Sequence, residues 1–116
     1  MRLKASIWVK AYIRRCAVAG VSGVVVRHGD DDAGAIFIRV NRLDGTSMLF
    51  GPAPAGLAGS EHDRAWVPQY AAPGAADAVV DARLAREIGF DPDVWLVEIE
   101  DRQGRSFLED WLAPAS

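Results

Sequence analysis

Residues 94–100 read Val-Trp-Leu-Val-Glu-Ile-Glu, and this alternation constrains the fold more than any other stretch of the chain. Trp95, Val97 and Ile99 lie on one side of an extended strand, and Leu96 with the two glutamates lies on the other. A strand with one strongly apolar side needs a neighbouring layer to cover that side. The chain therefore contains a sheet, and its other elements must supply the cover.

Periodicity and turn residues predict the remaining elements. A helix is expected over residues 5–19, ended by Gly20, and a second helix over residues 75–89. Strands are expected over residues 21–28, 35–41, 46–50, 64–69, 94–100 and 105–108, with a surface loop over residues 51–59. The turn-forming residues 29–34 predict an antiparallel hairpin between the first two strands. We therefore expect residues 1–116 to form one α+β, two-layer domain: a mostly antiparallel sheet of four to six strands with two helices packed on one face.

Charge is distributed unevenly along the chain, although its formal total is only −3. Residues 1–27 hold six basic residues and no acidic one, so the other residues carry seven basic and all sixteen acidic residues. Lys10 and Arg14 lie four residues apart on the polar side of the first helix, with Arg15 beside them. This basic face predicts an acidic partner, either a protein or a nucleic acid. The alternative is that the acidic remainder of the same molecule neutralises the helix.

Carboxylates are concentrated in residues 91–101 and suggest a second function. Glu98 and Glu100 share one strand face at a separation of about 7 Å, close enough to share a metal ion or act as an acid–base pair. With Asp91, Asp93 and Asp101 they define the alternative of a metal-dependent enzyme. A polar outer strand face, preceded by a helix stop at Asp91-Pro92-Asp93, explains the same pattern without chemistry.

Other chemical groups give weaker signals. The Asp30-Asp31-Asp32 turn with His28 could bind a divalent cation, but it lacks the spacing of an EF-hand loop and is also typical of a solvated turn. Cys16 lies on the apolar side of the first helix, which favours a buried and unreactive thiol over a nucleophile activated by the neighbouring arginines. His28 and His62 are the only histidines, and one cysteine cannot form a disulfide framework. We expect no cofactor.

Three groups of residues resemble a known family. They are Arg2-Leu3-Lys4 with Trp8-Val9 and Arg14-Arg15-Cys16; Val26-Arg27-His28-Gly29-Asp30 with Asp32-Ala33-Gly34-Ala35 and Val40-Asn41-Arg42-Leu43-Asp44-Gly45; and Phe90-Asp91-Pro92-Asp93-Val94-Trp95-Leu96-Val97-Glu98-Ile99-Glu100-Asp101. Together they resemble the small bacterial family called domain of unknown function 1491, over nearly the whole chain. The resemblance implies a free-standing bacterial domain and supplies no catalytic residue.

These observations favour a small, non-enzymatic interaction or accessory module. We expect it to be soluble and cytoplasmic, with no membrane contact, and to bind a macromolecular partner through Lys10, Arg14 and Arg15. A weak, non-specific nucleic-acid binder and the metal-dependent enzyme are the alternatives. A homodimer formed through an edge strand or Trp111 is compatible with each of them.

Overall fold

The computed structural model describes residues 3–54 and 64–113. These residues form α1 (Ala5–Val18), β1 (Gly23–Arg27), β2 (Ile36–Asn41), β3 (Thr46–Pro52), β4 (Trp66–Pro68), β5 (Ala75–Ala76), α2 (Asp77–Phe90), β6 (Trp95–Glu100) and a 3₁₀ helix (Glu109–Trp111). All six strands belong to one sheet with the order β1-β6-β2-β3-β4, and β5 pairs with β3. The expected α+β class and strand number are confirmed.

β6 lies inside the sheet, antiparallel to β1 and parallel to β2. The hairpin expected between the first two strands is therefore wrong, because β6 separates them. The segment between these strands folds back onto the start of β6 instead. There the Asp30 N–H donates to the Asp93 carbonyl at 2.9 Å, and the Trp95 indole N–H donates to the Asp30 carbonyl at 2.7 Å. The other pairings, β2 with β3 and β3 with β4 and β5, are antiparallel, so the sheet is mixed.

Alternate side chains of β2 build two separate cores. Ile36, Ile38 and Val40 pack with α1. Phe37, on the other face, packs with α2. Successive side chains of a strand point to opposite faces, so the two helices cover opposite faces of the sheet. The molecule thus has three layers, whereas the sequence suggested two layers with both helices on one face. The reason is that β2 is apolar on both faces, and Leu96 of β6 also lies in the α2 core; both faces therefore need cover.

α1 ends where the sequence indicates. Gly20 has φ +81°, a left-handed conformation that glycine adopts without steric cost. The Gly20 N–H donates to the Ala17 carbonyl, and the Val21 N–H donates to the Cys16 carbonyl, both at 2.9 Å. These two bonds form a Schellman motif, and the burial of Val21 and Cys16 supplies the apolar contact that accompanies it.

The start of α1 is capped by a distant part of the chain. The N–H groups of Ala5 and Ser6 donate to the carbonyls of Asp32 and Asp31 at 3.1 and 3.0 Å, and no side chain caps this end. The guanidinium of the buried Arg64 ties the same region together by donating to the carbonyls of residues 3, 32 and 34. The helix is therefore fixed in place at its first turn by tertiary contacts.

The rest of the chain follows most of the expected elements. α2 begins within two residues of the predicted start, and Val80 and Leu84 form its buried stripe. The predicted strand over residues 105–108 is wrong, because these residues have no regular structure and lead into the 3₁₀ helix that starts at Glu109. Of the surface loop predicted over residues 51–59, residues 51 and 52 belong to β3, and residues 55–59 lie outside the described part of the chain. Neither described α-helix is long and apolar enough to cross a lipid bilayer.

Candidate functional site

The outward side of α1 carries an exposed stripe that we call the docking face: Ile7, Lys10, Ala11, Arg14 and Val18. These positions are three or four residues apart and so lie on one side of the helix. The side chains that bind the helix to the sheet, including Trp8 and Tyr12, lie on the other side. Ile7 is 50% exposed and Val18 is 85% exposed, so the docking face combines apolar surface with two cations.

The cations of α1 and of Lys4, the residue before it, fall into two groups. Lys4 lies 3.7 Å from Asp32, and Arg15 lies 3.8 Å from Asp110 with its guanidinium 4.0 Å from the centre of the Trp111 ring. Lys10 and Arg14, in contrast, make no ion pair with any residue in the described ranges. Within the described ranges, part of the basic charge is thus neutralised internally, while the Lys10 and Arg14 side chains are exposed to solvent.

The three residues expected to bind a partner are consequently placed differently. Lys10 and Arg14 lie together on the docking face, while Arg15 is half-buried against the C-terminal segment. Ile7 and Val18 of the docking face are not among the residues that the sequence singled out. The signal was available for Ile7, because it lies three residues before Lys10 and seven before Arg14, which places it on their side of a helix.

Aromatic packing holds the docking face in a fixed position. The ring of Trp8 stacks on Trp66 with a centroid distance of 4.1 Å and on Tyr12 at 5.1 Å. The Tyr12 hydroxyl donates to the Ser106 carbonyl at 2.6 Å, and burial raises the pKa of Tyr12 far above its ordinary value. α1 is thus bound to β4 and to the segment that follows β6, and a partner would meet a preformed surface.

The acidic turn forms local bonds that account for its composition. Asp30 accepts the N–H groups of residues 32 and 33 through its side chain, and Asp31 lies 2.7 Å from His28. The His28 ring packs against Trp95 with a centroid distance of 4.1 Å. These contacts match the interpretation of this segment as a turn, and the turn also supplies the carbonyls that cap α1.

The carboxylates of residues 91–101 do not converge. Asp91 and Asp93 precede β6, whereas Glu98 and Glu100 lie towards its other end, about 16 Å and about 23 Å from Asp93 at the rise of an extended strand. Asp101 instead holds the Arg105 guanidinium. Within the described ranges, no three Asp, Glu, His or Cys side chains lie close enough to hold one metal ion.

A buried arginine binds β2 to α2. It is not among the candidate site residues predicted from the sequence. Arg39 is 8% exposed and pairs with Asp81, with Asp77 at 3.4 Å and with Glu98 at 3.6 Å. Burial raises the pKa of Glu98, while the Arg39 charge opposes this shift. The sequence signal was a single cation inside the apolar run Ile-Phe-Ile-Arg-Val, which a buried strand tolerates only with acidic partners. These contacts assign Arg39 a structural role.

Two further features, a recess beside α2 and the thiol of Cys16, are explained by contacts within the domain. A recess of about 300 Å³ lies between α2 and the sheet, with Phe37 and Val94 among its lining residues. Its polar wall is internally bonded, because Arg83 donates to both Gln69 and Glu87. Cys16 is fully buried, and burial raises its pKa, so this thiol is poorly suited to act as a nucleophile.

The fold and this surface define a class: a small α+β domain with one helix on each face of a mixed sheet and an exposed, partly basic helix. A family described as protein of unknown function (DUF1491) matches residues 3–109. The chain belongs to the DUF1491 family, which confirms the resemblance drawn from its sequence. No curated protein matches the chain.

Solved structures of bacterial proteins share this fold over nearly the full chain. The crystal structure of a DUF1491 family protein from Caulobacter crescentus CB15 is 37% identical, with a TM-score of 0.78, and covers 98% of this chain and 100% of its own. An NMR structure of a DUF1491 family protein from the same organism is 38% identical, with a TM-score of 0.78, and covers 98% of this chain and 99% of its own. The solution structure of a protein from A. tumefaciens is 38% identical over 100% of both chains, with a TM-score of 0.80.

Proposed function

We propose that this chain is a non-enzymatic interaction module whose docking face binds an acidic protein partner in the cytoplasm. The observation that carries the proposal is the pair Lys10 and Arg14, which have no ion-pair partner among the described residues and lie on a helix fixed at both ends. Two uncompensated cations side by side attract carboxylates and steer their approach. The free thiol of Cys16 is compatible with a reducing compartment.

The apolar residues of the docking face favour a protein partner over a nucleic acid. Protein interfaces combine an apolar centre with charged residues around it, and Ile7, Ala11 and Val18 provide apolar surface beside the two cations. Phosphate binding uses several cations and has no need of exposed isoleucine or valine. We therefore propose an amphipathic acidic segment as the partner, with carboxylates opposite Lys10 and Arg14.

One helix face of this size supports a transient complex. A stable complex buries roughly 800 Å² and roughly 20–30 residues per partner, whereas the docking face consists of residues of a single helix. Because both cations are exposed, their attraction is screened at high ionic strength. Binding should therefore weaken with added salt, mainly through a lower association rate.

Charge reversal of the docking face tests the proposal. A photoreactive residue placed at position 11 identifies the contacting protein, which is then purified and titrated with the wild type and with Lys10→Glu/Arg14→Glu. We expect the affinity of this variant for the partner to fall by up to about tenfold. The Tm should be unchanged, because both side chains are exposed. Charge reversal of the partner's contacting carboxylates should restore binding.

The matched control is Arg86→Glu/Arg102→Glu, which changes the net charge equally at exposed positions outside α1. This control should bind as the wild type does. Equal binding by the docking-face variant would refute the proposal, and so would equal losses in both variants, which would reflect overall charge. A contact removed by nuclease treatment would favour the nucleic-acid alternative instead.

A further inference from the structure

β1 forms an open edge of the sheet. Its one strand neighbour is β6, and no described residue pairs with its other side. Three consecutive valines of this strand are exposed: Val24 by 56%, Val25 by 41% and Val26 by 56%. An edge strand with apolar side chains and unpaired backbone groups is a template for another strand.

The opposite edge of the sheet is closed. β4 and β5 share the outer side of β3, and β4 ends at Pro68, which cannot donate a backbone hydrogen bond. The C-terminal segment covers β4, because Trp66 forms a bridge with Leu112 and its carbonyl accepts the Ala113 N–H at 2.9 Å. Within the described ranges, β1 is thus the edge left for a further strand.

Trp111, the other residue considered for self-association, is already occupied. Its ring packs edge-on against Trp8 with a centroid distance of 5.1 Å, and the Arg15 guanidinium covers it. A dimer contact through this ring would displace both neighbours. The exposed apolar surface of β1 needs no such rearrangement.

We infer that two copies of this chain associate by antiparallel pairing of β1 with β1, centred on Val25. The sequence Gly-Val-Val-Val-Arg suits this two-fold pairing. Val24 lies opposite the second copy's Val26, and branched side chains stabilise such cross-strand pairs. Arg27 lies opposite the second copy's Gly23, which has no side chain, so the two cations stay at opposite ends. The Arg27 guanidinium donates to the Pro92 carbonyl of its own chain at 2.9 Å, which directs it away from the pairing edge.

The geometry also sets the strength of this dimer. β1 has five residues, and its pairing with β6 shifts register between Val25 and Arg27, which marks a bulge. Bulges weaken edge pairing, and a strand this short buries less than the roughly 800 Å² per partner of a stable complex. We therefore expect reversible dimers that form at micromolar concentrations or above and dissociate on dilution.

Sedimentation equilibrium over a range of protein concentrations tests the pairing. The wild type should shift from a mass of 12.5 kDa towards twice that value as concentration rises. Val25→Lys should remain monomeric, because it places two ammonium groups opposite each other at the two-fold axis. Val79→Lys is the matched control, since Val79 is 50% exposed on α2, and it should associate as the wild type does.

A cysteine at the same position tests the register independently of any effect on folding. Cys16 is buried, so Val25→Cys adds one accessible thiol, and oxidation at concentrations that favour the dimer should link two chains faster than for Val79→Cys. A wild type that stays monomeric, a dimer unaffected by Val25→Lys, or equal cross-linking of both cysteine variants would each overturn the inference. So would a monomer whose β1 binds a strand of another protein.

Discussion

Asp101 is a buried carboxylate whose charge is held by one arginine. It is 7% exposed, and its oxygens accept the Arg105 Nε and Nη2 groups at 3.0 and 2.8 Å and the Arg105 backbone N–H at 2.8 Å. These hydrogen bonds hold the pKa of Asp101 below its usual range, although burial opposes the shift. A residue that looked like one of several acids in the sequence is therefore a structural anchor for the turn after β6.

Asp101→Asn should destabilise the protein by about 1–2 kcal/mol near neutral pH, a moderate value because Arg105 is half exposed and screened by solvent. A lowered folded-state pKa contributes stability above the unfolded pKa, near 3.9, and this contribution disappears as pH falls through the folded pKa. The difference in Tm between wild type and variant should therefore shrink in acid. Thermal unfolding by circular dichroism across this pH range measures it.

Glu98→Gln is the control with the opposite sign. Burial raises the folded-state pKa of Glu98, so the wild type gains stability relative to this variant as pH falls through that pKa. If Glu98→Gln also gains stability relative to the wild type as the pH falls, as Asp101→Asn should, the pH dependence does not arise at Asp101.

At the scale of elements, the turn between β1 and β2 depends on close backbone contact. A Cβ at Gly29 would overlap the Asp93 carbonyl oxygen and lie 2.5 Å from Cδ1 of Trp95. Gly29→Ala should therefore force the turn away from β6 and lower the free energy of unfolding by about 1–3 kcal/mol. Chemical denaturation measures this loss.

Gly89 provides the comparison within the same chain. It lies in α2, and a Cβ there would meet no atom within 4 Å. Gly89→Ala should raise the free energy of unfolding by about 0.5–1 kcal/mol, because alanine favours the helix. Equal effects of the two substitutions would show that contact with β6 does not distinguish these glycines.

Local signals predicted the elements well and their partners poorly. The bounds of α1 and its stop at Gly20 followed from apolar spacing and one glycine, both of which act within a few residues. The residues between β1 and β2 have turn composition. That composition cannot show that β6 inserts between the two strands, because the insertion depends on residues about sixty or more positions away. The same limit applies to the faces of the sheet, since the sequence of one strand does not show how many layers cover it.

In the candidate site, too, local features were predicted from the sequence and long-range contacts were not. Helical spacing placed Lys10 and Arg14 on one exposed side, and the structure agrees. The contact of Arg15 with Trp111 joins residues far apart in sequence, and no local pattern predicts it. The open edge at β1 likewise follows only from the complete strand order.

At the scale of the whole molecule, the β1 pairing and the docking face are compatible. In antiparallel pairing at a sheet edge, the two-fold axis is perpendicular to the sheet. Both copies of α1 therefore lie on the same side of the joined sheet. The docking faces point away from the sheet and stay open in such a dimer. A partner with two acidic segments could then bind both, and its apparent affinity would rise through effective concentration alone.

The distant capping of α1 has a consequence for how the chain folds. Carbonyls of residues 31 and 32 accept the first N–H groups of the helix, and the Ser106 carbonyl accepts the Tyr12 hydroxyl. A helix of 14 residues is marginal alone in water, so α1 should become stable only after these later segments are in place. Pulse-labelling hydrogen exchange during refolding should show α1 amides protected no earlier than those of β2 and β3. During synthesis, α1 would then leave the ribosome before the segments that fix it, and the partner-binding surface would form only once the residues up to Ser106 have been made.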